Sequence, residues 1–155
     1  MRMTEPRRDS GASLAPKNAP DRNSTILANV RVLIVEDDLP SQRLFVLLLQ
    51  SAGARVRCVS SAEAAIAAVV AEPVDVLVVD LLLPGMSGLS FVEQLKKGRL
   101  VSLDTAKSIV VVAASVLNGD DILRLARDAG CDACIRKPLD GEAFIAVIAR
   151  LLGRT

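Results

Sequence analysis

Acidic side chains that follow two apolar runs are the residues of this sequence best suited to chemistry. Glu36 and Asp37 come directly after the run at residues 32–35, and Asp80 comes directly after the run at 76–79. A carboxylate at the edge of an apolar core is unfavourable unless a cation, a hydrogen bond or solvent meets it. We therefore expect a partner for Asp80; a lone carboxylate at this point would more simply cap a turn.

Two other polar residues also end apolar runs. Ser115 closes the run at residues 109–114, and Lys137 follows the short run at 133–135 and precedes Pro138. Each has an ordinary explanation by itself, because serine often forms turns and lysine usually lies on the surface. Together with the three acids, however, they supply a hydroxyl and an ammonium group for one shared site.

The spacing of the apolar residues indicates how these side chains are positioned. Short apolar runs alternate five times with stretches of helical period, such as Ala62, Ala65, Ile66, Val69 and Val70. This alternation predicts an α/β fold with a parallel sheet and right-handed crossovers. Ligands of such sheets bind beyond the carboxyl ends of the strands, so we expect the polar residues to share one rim.

Three carboxylates at one rim repel one another unless a cation holds them together. Oxygen ligands without histidine favour a hard ion that keeps several waters, and Mg2+ is the natural candidate. We expect Asp37 and Asp80 to bind it directly and Glu36 to act through water. The backbone carbonyl of Leu82 is a further candidate ligand.

A cation next to Asp80, with the Lys137 ammonium and the Ser115 hydroxyl, would stabilise charge on a transferring phosphoryl group. Asp80 is then the expected nucleophile.

Composition limits the other functions. The 155 residues are 51% hydrophobic but 2% aromatic, carry a net charge of +1 and contain no histidine, which excludes histidine-based catalysis. We expect a disordered tail at residues 1–28, one domain at 29–155, no direct nucleic-acid or membrane binding, and a cytoplasmic location. Cys131 and Cys134 form a C-x-x-C pair, which could be half of a metal site or a redox pair. Because the sequence has no histidine and one other thiol, Cys58, a four-ligand site cannot be completed from these residue types, and we expect small buried side chains instead.

Four motifs in order resemble the receiver domain of bacterial two-component response regulators. They are V-L-I-V-E-D-D at 32–38, V-D-L-L-L-P-G-M-S-G at 79–88, Ser115, and R-K-P-L at 136–139. The similarity extends over about residues 30–152 and is greatest to single-domain, chemotaxis-regulator-like members. It implies a flavodoxin-like, doubly wound five-stranded parallel sheet in the order 2-1-3-4-5.

The resemblance also implies a function. A histidine kinase or phosphotransfer protein would transfer phosphate to Asp80 in a Mg2+-dependent reaction, and a downstream protein would read the result. Glu36 and Asp37 match the acidic pair, Ser115 matches the switch hydroxyl, and Lys137 matches the salt-bridging lysine, whose bond to the following proline is usually cis. Phosphorylation and dephosphorylation would be self-catalysed, so no separate enzymatic activity is expected.

Departures from the family pattern concern the signalling parts. Cys134 stands at the usual aromatic switch position, Val116 follows the switch hydroxyl where a smaller residue is common, and the segment at 98–108 is longer than usual. We expect output through the fourth predicted helix, fifth strand and last helix, including Arg124, Arg127 and Cys134. Outward residues of the first helix, from the set Leu44, Phe45 and Leu49, are a candidate partner patch.

Two other classes of protein are weighed against this interpretation. A receiver-like interaction module that works without phosphorylation would have a broken rim, whereas all its residue types are present here. An aspartate-nucleophile phosphatase would need a second acid two residues after Asp80, and Leu82 stands there. The glycine-rich motifs of nucleotide-binding folds are absent from the sequence.

Overall fold

A five-stranded parallel sheet forms the centre of the computed structural model, which describes residues 25–154. The strands lie in the order β2-β1-β3-β4-β5, which confirms the predicted fold class and strand order. Residues 1–24 of the predicted tail lie outside the described part of the chain. The strands are β1 (Arg31–Val35), β2 (Arg55–Val59), β3 (Val76–Asp80), β4 (Val110–Ser115) and β5 (Ala133–Arg136).

Six helices accompany these strands in the described residues. One more helix forms than was predicted, because the long segment at 98–108 contains a short helix that begins after the N-cap Ser102. Lys96 fixes this helix by donating from Nζ to the carbonyl oxygens of Ala106 and Ile109, at 2.8 and 2.6 Å. Within residues 25–154, no helix combines the length and the apolar content that crossing a membrane requires. The helices are α1 (Leu39–Ser51), α2 (Ala62–Ala71), α3 (Gly88–Lys96), α4 (Leu103–Ser108), α5 (Asp120–Ala129) and α6 (Gly141–Leu151).

The central strand β3 is buried along its whole length, because helices cover both faces of the sheet. Val76 and Val78 pack on the side of α1 and α6, where the Phe45 and Phe144 rings lie 5.4 Å apart. Leu77 and the other alternate side chains pack on the opposite side, against α2 and α3. The carboxyl end of β3 is therefore where this strand can present a functional group to solvent.

The folded domain begins earlier than predicted. Leu27, which we assigned to the tail, is fully buried in the core, and its N–H donates to the carbonyl oxygen of Ala52 at 2.8 Å. Arg154 donates to the carbonyl oxygen of Ala28 at 2.8 Å and so joins the two ends of the domain. The residues before Leu27 are mostly polar, so this short buried segment could not be recognised from the sequence.

The predicted partner patch on α1 was wrong for two of its three residues. Phe45 and Leu49 are fully buried, whereas Leu44 and Leu47 expose 41% and 63% of their surface. Residues four apart lie on the same face of a helix, and the face of Phe45 and Leu49 packs onto the sheet. The exposed large apolar side chains of α1 are therefore Leu39, Leu44 and Leu47.

We predict that Leu27→Ala lowers the free energy of unfolding by about 2–5 kcal/mol, because it removes a fully buried side chain and leaves a cavity. The matched control Leu47→Ala, on the exposed face of α1, should change it by less than about 0.5 kcal/mol. Urea unfolding followed by far-UV circular dichroism measures both values. Equal stability of the two variants would show that the segment before β1 does not pack in solution.

Candidate functional site

Three carboxylates meet at the carboxyl ends of β1 and β3. One oxygen from each of Glu36, Asp37 and Asp80 lies within 4.8 Å of the other two. Glu36 is fully buried and Asp80 is 7% exposed, while Asp37 is open to solvent. Because β1 and β3 are adjacent parallel strands, the residues that follow them emerge side by side.

Lys137 joins this acidic cluster from the end of β5. Its Nζ lies 2.7 Å from Glu36 Oε1 and 3.3 Å from Asp80 Oδ2. The peptide bond between Lys137 and Pro138 is cis, as the resemblance implied. Burial alone would lower the pKa of Lys137, but its hydrogen bond to Glu36 and the charges of both carboxylates raise it overall. Lys137 is therefore an ammonium group throughout the neutral pH range.

Both carboxylate oxygens of Asp80 have a hydrogen-bond donor. Oδ1 accepts from the main-chain N–H of Leu82 at 2.9 Å, and Oδ2 accepts from Lys137. The carbonyl of Leu82 as a metal ligand stays a prediction. Gly88, the first residue of α3, lies so close to the carbonyl oxygen of Asp80 that any Cβ would overlap it. Glycine is thus required here for the helix to begin directly beside the acidic cluster.

Ser115 ends β4, the strand next to β3, and is fully buried. Its Oγ accepts a hydrogen bond from the main-chain N–H of Leu117 at 3.0 Å. Cys134, at the expected aromatic position, is half-buried and pairs with Ala113 across β4 and β5. Its thiol and that of Cys131 pack against the small cluster around Ala113.

Two residues that support the site were missed in the sequence. Gln42 on α1 donates from its side-chain amide to the carbonyl oxygen of Glu36. Glu63 on α2 accepts from the N–H of Met86 at 3.2 Å and so anchors the loop that follows Asp80. Both contacts join side chain to backbone across different elements, so no local sequence pattern could have indicated them.

The described residues fit a hard divalent cation. Glu36 Oε2 is buried without a hydrogen-bond partner, and burial, helped by the charge of Asp80, raises the pKa of Glu36 to about 7 despite Lys137. When all groups are ionised, three carboxylates and one ammonium leave a net charge of −2. An oxygen-only cluster of this charge suits Mg2+, which prefers carboxylate and water ligands.

Comparison with known proteins agrees with this geometry. The family model described as "Response regulator receiver domain" matches residues 32–149. The chain belongs to the response regulator receiver domain family. Its five-stranded sheet in the order β2-β1-β3-β4-β5 is thus that of a receiver domain.

Individual relatives are more distant. The sensory/regulatory protein RpfC of Xanthomonas campestris pv. campestris strain 8004 is 31% identical over 137 residues, which cover 84% of this chain but 18% of RpfC. The chain thus spans less than a fifth of that relative. A putative response regulator from Chloroflexus aurantiacus has a similar fold, with a TM-score of 0.74, 24% identity and coverage of 81% of this chain and 99% of that one.

A third relative is the receiver domain of a sensor histidine kinase from Pseudomonas aeruginosa. Its TM-score is 0.70 at 23% identity, with coverage of 81% of this chain and 99% of that one, and it was solved with magnesium coordinated in its active-site cleft. At this identity the likeness supports the receiver fold of the present chain.

We predict that metal-free protein loses stability between about pH 4.5 and 7 because of Glu36. The pKa of this group is higher in the folded state, about 7, than its ordinary value of 4.5. The folded state therefore holds the proton over this range while the unfolded state releases it, so the free energy of unfolding falls as pH rises. The loss is on the order of 2 kcal/mol.

Thermal and urea unfolding in EDTA at pH 5 and 7.5 measures how much the free energy of unfolding falls with pH. Glu36→Gln should remove it, and the exposed control Glu142→Gln should keep it. If the free energies of unfolding of wild type and Glu36→Gln differ by the same amount at both pH values, Glu36 is not the group that causes the pH dependence.

Proposed function

We propose that this receiver domain accepts a phosphoryl group on Asp80 from the phosphohistidine of a sensor kinase or phosphotransfer protein, and signals through protein contacts. The observation that carries the proposal is the position of Asp80. Its carboxylate ends the central strand, is bound by Lys137, and lies within 4.8 Å of the Glu36 and Asp37 carboxylates.

The transfer is an in-line displacement at phosphorus. An oxygen of Asp80 forms the new P–O bond while the P–N bond to the donor imidazole breaks. The electron pair of the P–N bond stays on the imidazole nitrogen. Lys137 neutralises charge that develops on the phosphoryl oxygens. Ser115, one strand away, can contact a phosphoryl oxygen after its hydroxyl leaves the N–H of Leu117. These groups act within the domain, so phosphorylation and its reversal need no separate enzymatic centre.

Glu36, Asp37 and Asp80 are the residues that would hold Mg2+. A bound Mg2+ supplies positive charge that offsets repulsion between the carboxylates and the phosphoryl oxygens. The orphan oxygen of Glu36 and the net charge of the cluster support this role. The magnesium in the active-site cleft of the Pseudomonas aeruginosa receiver domain is a further parallel.

The exposed side of α1 is the proposed docking surface for the donor. Leu44 lines an open cavity of about 190 Å³ that continues to Lys137, Pro138 and Leu139, so apolar surface runs up to the phosphoacceptor site. Leu47 is also exposed, one helical turn after Leu44. Apolar patches rimmed by polar groups are typical of protein-binding surfaces.

The proposed output surface consists of α5, β5 and α6. β5 is the edge strand of the sheet at the end opposite to β2. Arg124 and Arg127 are exposed on α5, and Arg127 lines a shallow cavity together with Cys134 of β5. The alternative, an interaction module that works without phosphorylation, is less well supported because every side chain of the rim is in place. Phosphorylation of Asp80 distinguishes the two.

We predict that acetyl phosphate and Mg2+ add one phosphoryl group to the wild-type protein, as measured by intact mass. Asp80→Asn should remain unmodified while keeping its far-UV spectrum, and EDTA should stop the reaction. Lys137→Gln should slow it by about 10²-fold, because a positioned charge at the reacting group is lost. The matched control Lys107→Gln, exposed on α4, should react as wild type. Equal labelling of Asp80→Asn would refute the proposal.

A further inference from the structure

An open cavity of about 310 Å³ lies between α1 and the edge strand β2. Leu47 on α1 and Cys58 on β2 are exposed at its two sides, and Val46 is half-buried. The cavity is separate from the acidic cluster, because it contains none of the three carboxylates. Its lining residues are Gln42, Arg43, Val46, Leu47, Gln50 and Cys58.

The strand that borders this cavity has a free edge. Within residues 25–154, β2 pairs with β1 alone. Such an edge presents main-chain N–H and C=O groups that can bind a further extended segment. Cys58 lies opposite Ile34, whose side chain packs on the α1 side of the sheet, so Cys58 faces α1. A segment added to β2 would therefore turn every second side chain toward the cavity.

The chain before the described domain is attached close to this cavity. The N–H of Leu27 donates to the carbonyl oxygen of Ala52, the C-cap residue of α1, at 2.8 Å. Arg55, the first residue of β2, donates to the side-chain oxygen of Asn29 at 3.4 Å. Residues 1–24 are therefore attached where α1 ends and β2 begins.

One stretch of these 24 residues has the composition of a short strand that docks on an edge. Residues 7–15 contain no proline and are longer than β2, which has five residues. Leu14 is the one aliphatic residue larger than alanine in residues 4–24. In an extended segment Ala12 shares the face of Leu14, and Ser13 lies on the other face. The sequence thus supplies an apolar face suited to the cavity.

We propose that residues 10–14 of this chain bind back onto the free edge of β2 as an antiparallel strand, with Leu14 in the cavity beside Leu47 and Cys58. The orientation follows from the point of attachment: β2 runs away from it, and a segment that leads back to it runs in the opposite direction. Residues 15–24 can span up to about 33 Å, which is about twice the length of β2. The connection is therefore long enough.

The bound segment would regulate access to α1. Leu47 belongs to the exposed face of α1 on which the phosphoryl donor is proposed to dock, so the segment and the donor would compete for it. This consequence rests on the proposed function. The docking itself does not, because it depends only on the cavity, the free edge and the preceding chain.

The native thiol of Cys58 reports whether the cavity is covered. The full-length chain is treated with iodoacetamide, and alkylation of each cysteine is followed by mass spectrometry of peptides. A tethered segment has a local concentration in the millimolar range, so a millimolar dissociation constant covers the cavity about half of the time. Leu14→Asp should then speed alkylation of Cys58 by about twofold or more. Ser13→Pro should do the same, because proline disrupts a paired strand.

Two controls accompany this measurement. Asn18→Asp adds the same charge outside the proposed strand and should leave the rate of Cys58 at the wild-type value. Cys134, on the edge strand at the opposite end of the sheet, should react equally in all variants. Far-UV circular dichroism checks that each variant is folded.

The outcomes separate this inference from the proposed function. Equal alkylation of Cys58 in wild type, Leu14→Asp and Ser13→Pro overturns the docking, whether or not Asp80 accepts phosphate. Protection that disappears on dilution overturns it as well, since the segment of a second copy would then occupy the cavity. Protection of Cys58 in a protein that takes up no phosphoryl group keeps the docking and removes the proposed function.

Discussion

Repulsion among the carboxylates of Glu36, Asp37 and Asp80 is the constraint on which the rest of the structure depends. Unit charges 4.8 Å apart repel by roughly 3 kcal/mol per pair at an effective dielectric constant near 20. Lys137 offsets part of this cost through its two short contacts. The negative charge that remains raises the pKa of the buried Glu36 and also gives a divalent cation a reason to bind. A phosphoryl group, itself negative, can approach only when that charge is balanced.

The sheet keeps these charges together although they repel. β1 and β3 pair with Val35 opposite Val79, so the next residue of each strand, Glu36 or Asp80, emerges at the same level. A slip of one residue would exchange the two buried faces of β3, which pack against different helices, and would move Asp80 away from Glu36; it is therefore disfavoured. Burial of apolar side chains on both faces thus supplies the energy that holds the acidic cluster in its geometry.

Most of this arrangement could be predicted from the sequence, because strand ends and polar rim residues are local features. The parallel sheet and the gathering of the acids with Lys137 follow from apolar runs that stop at a charge, whereas the strand order was implied by the resemblance to receiver domains. What could not be predicted depends on contacts between distant segments: the burial of Leu27, the orientation of α1 that hides Phe45 and Leu49, and the support from Gln42. The helix α4 was missed because its apolar period is too short to detect.

The hydrogen bond between Ser115 and Leu117 connects the site to the rest of the domain. Rotation of the Ser115 hydroxyl away from this N–H frees the loop that leads into α5. α5 follows the N-cap residue Gly119, which offers no side-chain hydrogen bond, and buries only two alanines, whereas α1 and α6 bury phenylalanines and larger aliphatic residues. Small side chains contribute little packing energy, so moving α5 costs less than moving α1 or α6. A ligand shifts a conformational equilibrium only if it makes different contacts with the two states of the protein. The Ser115 hydroxyl would provide such a difference, since it can bond either to the N–H of Leu117 or to a phosphoryl oxygen. If α5 and β5 carry the output as proposed, Ser115 and α5 would connect Asp80 to that surface.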